Sequence, residues 1–179
     1  ANLFHPRFEN RELVRALGTH HDRFVAQYSV WAVAENRNLN VSDVGVPIRD
    51  IENQPPNVRE WLYRLVAANP DKVRQSVEVI RLGTGDEAPE AREGLAIGIR
   101  DTFFEGLDSI VWDWFGREED RDVFRNLTEH MARNCLRSDA YWEYISKTIM
   151  NEGSSSEFAQ RMYAATAGTP VYRELRKLE

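Results

Sequence analysis

The chain has 179 residues, with 23 Lys and Arg against 29 Asp and Glu, for a formal charge of −6. That length fits one domain or an array of small repeats, and 42% hydrophobic with 29% charged residues excludes a disordered tail. The acidic balance disfavours nucleic acid as a partner, and a single cysteine, Cys135, excludes a disulfide framework or a multi-thiolate zinc site.

Read in chain order, apolar residues recur at three and four throughout, the period of an amphipathic helix. Residues 10–18 read as a first short helix. Asp22 then caps or opens a stripe of Phe24, Val25, Tyr28, Trp31 and Ala32. Pro56 starts Val58, Trp61, Leu62, Leu65 and Val66, and Asn69-Pro70 starts Val73, Val77 and Ile80. Gly83-Thr84-Gly85-Asp86 reads as a helix end and turn, because no strand precedes it and no Lys-Ser/Thr follows to cradle a phosphate. The helix after Pro89 carries Gly94 and Gly98 on one face, where a neighbouring helix is expected to approach closely.

Four further stripes follow. They are Leu107, Ile110, Val111, Trp114 and Phe115; Phe124, Leu127, Met131 and Cys135; Tyr141, Tyr144, Ile145, Thr148 and Ile149; and Phe158, Met162 and Ala165. Ser154-Ser155-Ser156-Glu157 reads as a capping box with Ser154 as the cap. Thr169-Pro170 opens the last helix. Trp61 and Trp114, each in the middle of a stripe, are expected in the core. No segment alternates with a period of two, so the expected fold is all-α.

The helices also repeat. Val58-Arg59-Glu60-Trp61-Leu62 lies 33 residues after Val25 and 33 residues before Ala91-Arg92-Glu93-Gly94-Leu95, and Phe124-Arg125 falls on the next step. A fixed period in this range marks stacked hairpins, since one helical pair cannot bury its own apolar face. In period and in its Val-Arg element, whole at Val58-Arg59 and altered at Ala91-Arg92 and Phe124-Arg125, the chain resembles the HEAT-like repeat family. The resemblance implies a right-handed α-α superhelix of about five helix pairs spanning 1–179 as a single domain, a length that also suits a segment of a longer protein. First helices are then expected at about 22–37, 56–69, 88–101, 118–135 and 154–167, and second helices at about 42–52, 70–82, 102–115, 138–151 and 170–178.

No catalytic constellation is legible, and no cofactor is expected. Adjacent His20 and His21 point about 100° apart on a helix and do not converge on a metal, and His130 is expected on a polar helix face. Cys135 on its stripe reads as a core residue. There is no apolar run of about 18 residues for a membrane span and no charged-then-apolar leader, so a cytoplasmic location is expected.

The expected function is protein–protein interaction or scaffolding. In a HEAT-like array the second helices line a concave face, and there Arg74, Arg81, Asp108 and Trp112 are the candidate contacts for a protein partner or an attached domain. Trp112, two residues from Trp114 and so on the opposite side of its helix, is the best anchor. The alternative is a HEAT-like DNA-binding enzyme resembling alkylpurine DNA glycosylases, with Trp31, Trp112, Asp108 and Asp113 near the lesion. A structural spacer is the third possibility.

Overall fold

A computed structural model describes residues 3–5, 8–36, 39, 41–68 and 73–178, apart from the side chains of Val41, Ile48 and 73–76. Among these residues the protein is all-helical, with ten α-helices and no strand. They are α1 Arg11–Gly18, α2 Arg23–Glu35, α3 Pro56–Ala67, α4 Val73–Gly83, α5 Pro89–Ile99, α6 Leu107–Phe115, α7 Arg121–Asn134, α8 Asp139–Glu152, α9 Glu157–Thr166 and α10 Pro170–Leu175. None is long and apolar enough to cross a membrane. The chain forms two compact units, Ala1–Ile99 and Arg100–Glu179.

The starts of the helices follow from local chemistry. The Asp22 side chain accepts from the Phe24 and Val25 amides at 2.9 and 3.4 Å, and Asp120 accepts from Asp122 and Val123 at 3.0 and 3.1 Å. Pro56, Pro89 and Pro170 each occupy the first helical position, where the missing N–H removes no bond. The helices α2, α3 and α5 thus begin at Arg23, Pro56 and Pro89, 33 residues apart at each step, and α7 and α9 begin at Arg121 and Glu157. The helix of the Asn69-Pro70 start lies partly outside the described residues.

Three local expectations are corrected. The cap of α9 is Ser156 and not Ser154: its hydroxyl accepts from the Ala159 amide at 3.1 Å. Residues 154 and 155 are spent turning the chain, so Glu157 becomes the first helical residue and reaches Arg161 at 2.7 Å instead. The helix expected at about 42–52 is two short 3₁₀ segments, Val41–Asp43 and Ile48–Asn53. Between them Gly45 takes a φ of 82° and Pro47 can donate no bond, and together these break a continuous helix. Finally, Trp61 is only half-buried, because its ring stacks on Trp31 at 5.2 Å near the surface rather than entering the core.

In the first unit α3 packs between α2 and α5. The contact with α5 depends on glycine. A Cβ at Gly94 would lie 2.1 Å from the Glu60 carbonyl oxygen, and one at Gly98 would lie 2.6 Å from that of Arg64. The two backbones therefore touch, as the Gly94/Gly98 spacing predicted. Val58, Leu62, Leu95 and Ile99 fill the core around this crossing. The loop after α4 is pinned by Asp86, whose carboxylate takes both Nε and a terminal nitrogen of Arg59 at 2.7 and 2.8 Å, while Arg59 also donates to the Gln54 carbonyl. The turn at Gly83–Asp86 is structural.

In the second unit Leu107, Val111, Trp114, Leu127, Met131, Tyr141, Ile145 and Met162 are fully buried. The Trp114 indole donates to Glu118 at 2.7 Å, so its one polar atom is satisfied. Cys135 is buried in this core as expected, and burial pushes its thiol up to about 11. His130 is a correction: it is completely buried, not on a polar face. It lies edge-on to Tyr141, with Asn134 3.3 Å from one ring nitrogen and the Tyr141 hydroxyl 3.5 Å from the other. The polar neighbours in its sequence are themselves turned inward, since Asn126 and Asn134 are also buried and bond to helix carbonyls.

Candidate functional site

The second unit carries the candidate site, and it begins with the two sides of α6. Leu107, Val111 and Trp114 form one stripe at intervals of four and three, and it is wholly buried. Asp108, Trp112 and Phe115 repeat those intervals one residue on, so they share the adjoining face. That face reaches solvent: Trp112 is 40% exposed.

Other helices bring aromatic rings to it. Phe115 stacks on Trp112 at 6.0 Å and on Phe124 of α7 at 4.5 Å, with ring planes tilted by 23° and 26°. Tyr144 of α8 stands edge-on to Phe115 at 5.2 Å and to Trp112 at 5.9 Å. Phe158 of α9 meets Tyr144 edge-on at 6.2 Å. Phe124 is 38% exposed, and Phe115, Tyr144 and Phe158 are half-buried. Five rings from four helices thus form one surface row, in the offset and edge-on geometries that aromatic quadrupoles favour. Burial together with the nearby Glu152 raises the pKa of the Tyr144 phenol, which therefore stays neutral at ordinary pH.

Asp108 holds this face in place. Its carboxylate accepts from the Ser138 hydroxyl at 3.0 Å, and its carbonyl accepts from the Tyr141 hydroxyl at 3.4 Å, which ties α6 to the start of α8. Asp108 and Trp112 are therefore brought together, one helical turn apart. Arg81 is exposed in the last turn of α4, in the first unit. The side chain of Arg74 lies outside the described residues.

Phe115, Phe124, Tyr144 and Phe158 were expected in buried stripes, and the sequence did not mark them as parts of one surface. A faint signal existed for three of them: Phe115, Phe124 and Phe158 each stand at an end of their stripe, whereas Tyr144 stands inside its own. Their convergence depends on how α6, α7, α8 and α9 pack, which no single stripe encodes.

Two other features of the surface are smaller or in part already occupied. A smaller aromatic cluster in the first unit joins Phe4, Tyr28, Trp31 and Trp61, with Arg64 over the Trp61 ring at 4.7 Å. In the second unit a cleft of about 310 Å³ is lined by Arg133, Arg137 and Val171, but Arg133 is engaged by Asp101 at 2.5 Å and by the Ala165 carbonyl. Among the described residues no group of His, Cys, Asp and Glu side chains is placed to hold a metal ion.

Comparison with protein-family models, with curated protein sequences and with solved structures finds no match.

Proposed function

We propose that this chain is a protein-binding module of HEAT-like helical repeats and that it engages its partner through the second unit. The observation that carries this reading is the surface row Trp112–Phe115–Phe124–Tyr144. Large rings held rigid by one another lose little entropy when they are covered, and Trp and Tyr anchors dominate binding energy at interfaces. The regular starts of α2, α3 and α5 support the repeat reading.

The test uses a photoreactive phenylalanine analogue in place of Phe124, which is 38% exposed in the row, and a photoreactive side chain at exposed Glu90 in the first unit as a control, in cells that express the protein. The expected result is a defined protein adduct from position 124 that is absent from position 90. The purified adduct partner should then lose about tenfold or more of its affinity on Trp112→Ala, with the melting curve nearly unchanged. Identical adduct patterns from the two positions, or no protein adduct from position 124, would overturn the reading.

A further inference from the structure

The cleft of about 310 Å³ in the second unit is at the small end of the range for ligand sites, roughly 300–1,000 Å³. Its wall sets two arginines against one carboxylate, Asp101, in a chain whose formal charge is −6. Arg133 is fixed there by Asp101 and by the Ala165 carbonyl, which take its Nε and one terminal nitrogen at 2.5 and 2.9 Å. Its other terminal nitrogen meets no acceptor among the described residues. Arg137 donates no hydrogen bond and pairs with no carboxylate among those residues, and its guanidinium lies 5.7 Å from the Phe103 ring. The cleft therefore keeps cationic donors that the chain itself does not use.

Asn134 has the opposite need. It lines the same cleft and is 4% exposed. Its amide nitrogen lies 2.9 Å from the His130 carbonyl, 3.2 Å from that of Arg100 and 3.3 Å from the His130 ring nitrogen. The two carbonyls fix the amide's orientation, since turning it over would set oxygen against oxygen. The Asn134 oxygen then accepts from no group of the described residues. A buried amide oxygen without a donor costs free energy, and a neutral N–H brought by a ligand recovers it. Leu136, Pro170 and the buried Val171 add an apolar side to the cleft.

We propose that this cleft binds the C-terminal residue of a peptide chain. The carboxylate lies on Arg137 and the open terminal nitrogen of Arg133, the residue's amide N–H on the Asn134 oxygen, and an aliphatic side chain against Leu136, Pro170 and Val171. A C-terminal residue carries an anion, a neutral donor and an apolar group together, and the cleft has a counterpart for each. A free amino acid fits worse, because its ammonium would enter a wall with excess positive charge, where Asp101 is already shared by Arg133 and Arg100. The cleft shares no residue with the aromatic row, so the proposal stands whether or not the row binds a protein.

Three probes test it by heteronuclear NMR of the whole chain: a glycine–serine peptide ending in leucine with a free carboxylate, the same peptide amidated at its end, and free leucine. The acid peptide should shift the side-chain amide of Asn134 and the backbone amides of Leu136 and Val171, saturating at millimolar concentration or below. The amidated peptide and free leucine should each bind about tenfold more weakly. Arg137→Gln should lower the affinity of the acid peptide about tenfold and abolish its preference over the amide. Leu136→Glu, which sets a like charge in the wall, should lower it about as much, while Arg121→Gln, exposed at the other end of α7, changes it less than about twofold. Arg137 and Leu136 are exposed, and the amidated peptide decides the matter without any variant. Equal binding of acid and amide, equal loss on Arg121→Gln, or no shift at those amides with millimolar acid peptide would overturn the proposal. Free leucine binding as tightly as the peptide would make the cleft an amino-acid site and overturn the peptide terminus.

Discussion

Trp112 and Trp114 stand two residues apart on α6 and meet opposite environments: Trp114 is fully buried with its indole nitrogen bonded to Glu118, and Trp112 is 40% exposed in a row of stacked rings. A helix turns about 100° per residue, so two positions apart lie on nearly opposite sides. Trp114→Ala should therefore cost roughly 3–5 kcal/mol, the range for truncating a large buried aromatic. Trp112→Ala should cost roughly 1 kcal/mol, for partial burial and ring stacking only. Denaturant melts of the two variants check this, and equal losses would show that both indoles belong to the core.

Gly94→Ala tests the contact between α3 and α5. Alanine would gain up to about 1 kcal/mol of helix propensity in an isolated helix. Here its Cβ would stand 2.1 Å from the Glu60 carbonyl oxygen, and the helices must separate to admit it. A net loss of about 3 kcal/mol is expected, since overpacking against backbone outweighs propensity. Gly85→Ala is the control, because there the nearest atom would be 3.6 Å away. Thermal melts of the two variants should differ clearly.

The Arg59–Asp86 pair should respond asymmetrically. The two side chains are 14% and 6% exposed, and the carboxylate also accepts from the Ala88 amide at 2.9 Å. Removing one partner leaves the other buried and unpaired, so Asp86→Ala should cost about 3 kcal/mol or more. Replacing both by apolar residues of similar volume should cost markedly less. A double-mutant cycle measured by chemical denaturation gives the coupling directly.

Glu60 predicts a pH effect. Partial burial raises its pKa, and the nearby carboxylates of Glu93 and Glu90 add to that, against a smaller opposing pull from Arg64. With the folded value above the unfolded one, the folded state binds the proton more tightly. The resulting stability is present at pH below the ordinary carboxylate range and is lost as pH rises through the raised value. Glu60→Gln should therefore raise the melting temperature at pH 7 and leave it nearly unchanged at acid pH. An equal change at both pH values would mean that the effect is not ionisation.

The burial of Cys135 should make it inert. Its thiol, pushed up to about 11, is almost entirely protonated at pH 8, and the side chain is 1% exposed. A maleimide reagent should label the folded protein far more slowly than the protein in denaturant, by mass spectrometry.

What the sequence determined by itself was local. Periodicity gave the all-α class, Asp22, Pro56, Pro89 and Pro170 gave the starts of α2, α3, α5 and α10, and the Gly94/Gly98 spacing gave a close helix contact, because capping, propensity and facing are decided within a few turns of one chain segment. Where a local rule had two nearby solutions the sequence was ambiguous: Ser154 and Ser156 are both good caps, and only the path of the chain after Gly153 chose between them. The burial of His130 and the half-burial of Trp61 were decided by tertiary structure. Whether a residue at the edge of a stripe is covered depends on which helix crosses it, and that is a property of at least two segments at once. The row Trp112–Phe115–Phe124–Tyr144–Phe158 is the strongest case. Its residues come from four helices, and each segment alone gives its ring an ordinary place beside a core stripe. Packing alone turned them to one surface.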